Sequence, residues 1–114
     1  MSSISAVGVS GLQYASTRLQ ATASNVANVQ TDGYRVRRVT GSEAPSGGVE
    51  ARVRIDGRAG VTTVDSNGDT TVRSNVDLDR EMVDSREAVY IYAANAAVLR
   101  RYDDAVGFFL NKLA

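Results

Sequence analysis

The sequence predicts a mainly α chain: long N- and C-terminal helices packing as an antiparallel coiled coil, with a small β-hairpin-containing segment between them. Three observations carry that expectation. From Leu78 a seam runs through Met82, Ser85, Val89, Tyr92, Ala96, Leu99, Asp103, Val106, Leu110 and Leu113, alternating steps of four and three. This is the a/d pattern of a coiled-coil helix. A shorter face of the same kind runs through Leu12, Ala15, Leu19, Thr22, Val26 and Val29. Between them, Val49, Ala51, Val53 and Ile55 alternate with Glu50, Arg52 and Arg54, the period-two pattern of a half-buried strand. The chain therefore divides into residues 1–33, 34–74 and 75–114.

The N-terminal helix is expected over Ile4–Val29. Gly8 and Gly11 weaken its beginning, each by about 1 kcal/mol relative to Ala. With the β-branched Val7 and Val9 beside them, the first ten residues are expected to order only when packed. Thr31, Asp32 and Gly33 end this helix, with Gly33 in the left-handed position. Tyr34–Val39 reads as a short strand or an extended exit whose basic residues face solvent, and Gly41–Gly48, which holds the only proline, as a flexible connection. Asp56-Gly57 turns the chain, and Ser66–Asp69 between two short apolar runs signals a type I′ hairpin. Asp65, Asn67 and Asp69 imitate the start of a calcium-binding loop, but Thr70 and Val76 stand where that loop needs Gly and Glu, so a turn is expected.

Asn75 or Asp77 caps the C-terminal helix, whose first turns carry Asp77, Asp79 and Glu81 at the positive end of the helix dipole. At about 1.5 Å per residue this helix would reach roughly 55 Å, against roughly 39 Å for its N-terminal partner. The longer seam also carries more large apolar side chains, with Val76, Val83, Tyr90 and Ala97 in a second row and Phe108 and Phe109 broadening the far end. A single chain cannot cover this surface, so part of it is expected to meet another chain. Asp103 is either a register-setting polar position or simply a turn presented to water.

Composition narrows the function classes. The thirteen basic and thirteen acidic residues balance, so no global field favours nucleic acid or anionic lipid. Histidine and cysteine are both absent, which removes the commonest zinc ligands, thiol nucleophiles and disulfides. No Gly-rich phosphate loop or nucleophile elbow is present. We expect no catalytic residues, metal, cofactor, nucleic acid or small-molecule substrate. Met1–Ser10 has neither a basic start nor a long apolar run, so no cleavable secretory signal is expected.

Both ends of the chain resemble the bacterial flagellar basal-body rod proteins, relatives of the hook proteins. The N-terminal signature of that family is matched by Ala23-Ser24-Asn25-Val26-Ala27-Asn28-Val29-Gln30-Thr31-Asp32-Gly33-Tyr34-Arg35. Its C-terminal signature is matched by Asn75-Val76-Asp77-Leu78, then Glu81-Met82-Val83, then Tyr92 and Ala94-Asn95. Asp32 replaces the usual proline and Gln30 the usual third asparagine. Ser85, Arg86 and Tyr90 also depart from the pattern, and the short middle segment looks most like that of a proximal-rod subunit.

The resemblance implies a non-enzymatic structural subunit, exported uncleaved through the flagellar type III apparatus. It would assemble with copies of itself and other rod or hook subunits into a periplasm-spanning, torque-transmitting shaft. The implied assembly residues are Leu12, Leu19, Asn25, Val26, Asn28 and Val29 at one end. At the other they are Leu78, Met82, Val89, Tyr92, Asn95, Leu99, Val106, Leu110 and Leu113. Asn25 and Asn28 would face inter-helix contacts or cap the helix end. The alternative is a helical-hairpin adaptor that binds a partner helix beside Tyr90 and Tyr92.

Overall fold

Ser3 starts the first helix by accepting a hydrogen bond from the Ala6 amide on its Oγ at 3.2 Å. The computed structural model describes residues 3–114; Met1 and Ser2, at the head of the expected N-terminal unit, lie outside the described residues. Helix α1 covers Ile4–Ala27 and is ordered from its first turn, because Gly8 and Gly11 are buried against the other helix. It stops two residues short of Val29. Asn28 takes the C-cap and its Nδ2 donates to the Ser24 carbonyl at 2.9 Å. Gly33 adopts φ 75°, the left-handed value expected of it.

Two separate two-stranded sheets follow, both antiparallel. Strand β1 (Arg37–Glu43) pairs with β2 (Val49–Ile55), in a register that sets Val39 opposite Val53 and Arg37 opposite Ile55. Tyr34–Val36 leads out of the turn and the strand begins at Arg37, because Tyr34 and Val36 are engaged elsewhere: the Tyr34 hydroxyl bonds Asn25 and the Val36 amide donates to Asn75. One expectation needs correction here: Gly41–Gly48 is no flexible connection. Its first residues extend β1, and Ala44–Gly48 closes the hairpin with Gly47 and Gly48 at positive φ.

The β1–β2 hairpin lies on α1. Ser10 Oγ accepts from the Val49 amide, and a Cβ at Gly41 would stand 3.1 Å from the Tyr14 ring. The expected half-burial of β2 does not hold, since only Val49 is partly covered and the rest of the strand is exposed.

Strands β3 (Thr62–Val64) and β4 (Thr70–Val72) form the second hairpin. Its turn is not type I′, which would need a positive φ at both central residues. Only Gly68 has one, at 85°, in a three-residue loop closed by Asp65 and Asp69. Asp65 Oδ1 accepts from the Asn67 and Asp69 amides at 2.8 Å each, an Asx-type turn.

Asp77, not Asn75, caps helix α2, which runs Leu78–Leu113. Asn75 instead ties three segments together. Its Oδ1 accepts from the Val36 amide at 2.6 Å, and its Nδ2 donates to the Asp56 and Arg58 carbonyls. The two helices run antiparallel, Gly8 lying at Leu99, Gly11 at Asn95, Arg18 at Glu87 and Asn25 at Glu81. The chain is thus mainly helical, with two long helices and a two-hairpin segment between them. No helix among the described residues is long and apolar enough to cross a membrane.

Shape departs far from a sphere. The radius of gyration is 20.1 Å and the principal extents are 80 × 25 × 14 Å; a compact chain of this length would have a radius of about 13 Å.

Candidate assembly surface

A polar clasp holds the two helices in register. Asn25, 1% exposed, sits near the end of α1 where the chain turns back toward β1. Its Oδ1 accepts from the Tyr34 hydroxyl and the Arg37 amide, both at 2.9 Å. Its Nδ2 donates to the Arg37 carbonyl at 2.9 Å and to Glu81 Oε2 at 3.1 Å. One amide side chain thus pairs with the Arg37 backbone as a neighbouring strand would, and reaches α2 as well.

Glu81, also 1% exposed, takes Arg38 Nη1 at 2.8 Å on its other oxygen. Arg38 and Arg18 then share Asp84, at 3.5 and 3.7 Å, and Arg18 reaches Glu87 at 3.0 Å. Burial works against the Arg18 charge, yet the hydrogen bond to Glu87, with Tyr14 and Asp84 nearby, holds its pKa above the ordinary arginine value. Such a buried ion network contributes little net stability, because desolvation offsets the attraction, but removing one partner is costly. Its effect is to fix register.

Along the rest of the helix pair the inward face is built of small residues. Gly8, Gly11, Ala15, Thr22 and Asn25 are buried on α1, and Glu81 and Ala88 on α2. A Cβ at Gly8 would stand 2.8 Å from Leu99 Cδ2, and one at Gly11 would collide with the Asn95 side chain. The two glycines therefore make room for the Leu99 and Asn95 side chains, which an added Cβ would force to move. Ala15 and Thr22 lie on the expected face of α1, and Asn25 makes an expected inter-helix contact; Gly8 and Gly11, expected only to weaken the helix, were missed as packing residues. The signal was present in the sequence, as small residues at steps of three and four from Gly8 through Ala15 to Thr22 and Asn25.

Because small and polar residues hold the pair, the large apolar seam faces outward. Leu78, Met82, Val89, Tyr92, Val106, Leu110 and Leu113 are all exposed, Val89 by 54% and Met82 by 60%. Of the other expected interface residues, Asn25, Asn95 and Leu99 lie in the helix pair within the chain. Leu12, Leu19, Asn28 and Val29 are half-buried, and Val26 is exposed. Val29, beyond the helix end, accepts a hydrogen bond from Ser74 on its carbonyl.

The buried apolar core among the described residues is only Ala15, Ala21, Val36 and Ala88, whereas twenty large apolar side chains are exposed. The accessible surface is 8029 Å². A compact monomer of this mass would expose about 6,000 Å². The excess of about 2,000 Å² is the area a standard protein–protein interface removes from both partners together.

No curated protein gives a match to the chain. Residues 6–35, which carry the small-residue face of α1, Asn25, the helix cap and Tyr34, match the family model described as flagella basal body rod protein. The match covers about a quarter of the chain and leaves the C-terminal signature outside it. It supports a place for this chain in the flagellar basal body rod family, a family of structural components and not of enzymes.

Proposed function

We propose that the chain is a structural subunit of the flagellar basal-body rod, of the proximal-rod type, which self-assembles through its terminal helices. In this reading it reaches the periplasm uncleaved through the flagellar type III apparatus. There it packs with copies of itself and with other rod or hook subunits into a torque-transmitting shaft.

One observation carries the proposal: α2 holds its own α1 mainly through Glu81, Ala88, Asn95 and Leu99 and leaves the rest of its large apolar heptad positions, Leu78, Met82, Val89, Tyr92, Val106, Leu110 and Leu113, exposed. Exposed apolar stripes of this length mark interaction surfaces. The family match over residues 6–35 supports the same reading.

Sedimentation velocity across a concentration series tests it. Mass should rise with concentration. Val89→Asp, which puts a charge in the exposed seam, should abolish that rise, whereas Arg86→Ala beside it should not. Leu99→Asp is a poor probe of assembly, because Leu99 packs on Gly8 inside the chain. A protein that stays monomeric at every concentration would overturn the rod reading. It would favour the adaptor alternative, in which a partner helix occupies the groove formed by Ser85, Arg86, Val89 and Tyr90.

A further inference from the structure

Helix α2 is longer than its partner, and the two ends of the chain are unequally covered. Gly8 packs at Leu99, so Ile4, one turn earlier, brings α1 only to about residue 103 of α2. Every residue from Asp103 to Leu113 is exposed. On this overhang Asp103, Val106 and Leu110 follow at steps of three and four and share one stripe, with Phe109 beside it. Asp103 has no ion pair or hydrogen bond among the described residues.

The opposite end of the molecule carries the complement. A cleft of about 190 Å³ between α1, β1 and α2 is lined by Arg18, Arg37, Arg38 and Arg80 against Glu81 and Asp84. Arg18 and Arg38 are held by the carboxylates of the clasp. The side chains of Arg37 and Arg80 are exposed and have no partner among the described residues, so the cleft carries two uncompensated guanidinium groups. Beside it lies an apolar shelf. Ile55 stands directly opposite Arg37 and Val53 opposite Val39, and residues directly opposite in an antiparallel pair point to one face. Both shelf residues are more than half exposed, at 67% and 53%.

An acidic residue followed on one helical stripe by apolar side chains matches a basic cleft that borders an apolar shelf. We propose that the α2 overhang of one copy docks on a second copy, with Asp103 against Arg37 and Arg80 and with Val106, Phe109 and Leu110 on Val53 and Ile55. This rests on the rod reading and deepens it by naming the acceptor. The contact joins two different surfaces, so it does not close on itself and propagates head to tail. It also gives Asp103, the one acidic residue in the seam, an ion-pairing role that the chain alone does not supply.

The chain contains no cysteine, so introduced pairs report the contact without background. Val53→Cys and Val106→Cys chains, mixed and oxidised, should give the mixed disulfide. Asp103→Arg should weaken self-association about tenfold or more, as loss of a desolvated charge pair does. A second chain carrying Arg37→Asp should restore it; the Arg37 side chain is exposed and Asn25 holds only its backbone, so this variant should keep the fold, which circular dichroism checks. If the protein self-associates in a Val89-dependent way, yet gives no mixed disulfide and ignores Asp103→Arg, this acceptor is wrong and the rod reading stands. A protein that never self-associates overturns both.

Discussion

Replacing Asn25 by Ala would strip the Arg37 amide and carbonyl, the Tyr34 hydroxyl and Glu81 of a partner in one step. Each buried polar group left unpaired costs about 1–3 kcal/mol. Water reaching part of the site offsets some of that, so Asn25→Ala should destabilise the chain by about 3 kcal/mol in urea titration. Asn25→Asp should be worse, since it sets a carboxylate beside buried Glu81. A change smaller than about 1 kcal/mol for both variants would show that the clasp does not hold the helix pair. A second residue-scale effect is local and acid-dependent. The Arg58 guanidinium, hydrogen-bonded and charged, and then the Arg58 amide, hold the Asp56 carboxyl down from 3.8 to about 2. The folded value is below the unfolded one, so the contribution of this turn is fully present above about pH 4 and fades as pH falls toward 2. Arg58→Ala should return Asp56 to the ordinary carboxylate range in an NMR titration, with no change between pH 5 and 8. At this scale the sequence was legible where a residue type has one strong use, as at Gly33, and left a choice where two residues share a use, as Asn75 and Asp77 do at the start of α2. It was ambiguous at Gly8 and Gly11, which were read as weakening the helix, because a glycine that breaks a lone helix and a glycine that seats a neighbouring helix look the same until the neighbour is placed.

At the scale of elements, periodicity located both helices to within three residues at each end and placed Ala15 and Thr22 on the inward face of α1, but over most of α2 it chose the wrong inward face. Steps of three and four identify a helix and its strongest apolar stripe. They do not say which stripe meets the nearest partner, and here the close approach at Gly8 and Gly11 together with the Asn25–Glu81–Arg38 clasp decided it. The β segment shows the converse. Alternation located β2, but half-burial was inferred from pattern alone, and α1, on which the hairpin lies, partly covers only Val49 of this strand. These placements give helix α2 two stretches of unequal protection. Backbone hydrogen bonds from Glu81 to Leu99 are backed by α1, whereas those after Asp103 have solvent on every side. In hydrogen exchange on dilute protein, amides beyond Asp103 should therefore exchange at least tenfold faster than those around Ala88. At concentrations where the chain associates, that difference should shrink. Uniform protection of α2 in the dilute protein would mean that the overhang is covered within the chain.

For the whole molecule the deciding quantity is surface. A body 80 Å long and 14 Å thick cannot enclose a core, and the four buried apolar residues among those described, three of them alanine, confirm how little it encloses. Burial at about 25 cal/mol per Å² makes an interface on the seam large beside the stability of a small domain. Stability should therefore depend on the amount of protein, because association that favours the folded state adds to it by mass action. Raising the concentration a hundredfold should raise Tm by several degrees in calorimetry. Val89→Asp should remove that dependence and leave the low-concentration Tm nearly unchanged, since Val89 makes no part of the clasp and is 54% exposed. Gly11→Leu should do the opposite. It forces α1 away from Asn95, lowers Tm at every concentration and keeps the slope for whatever folded protein remains. The two variants thus separate what holds the chain to itself from what holds it to others. If Val89→Asp lowered Tm as much in dilute as in concentrated protein, the seam would be serving the monomer, and the surface excess would need another explanation.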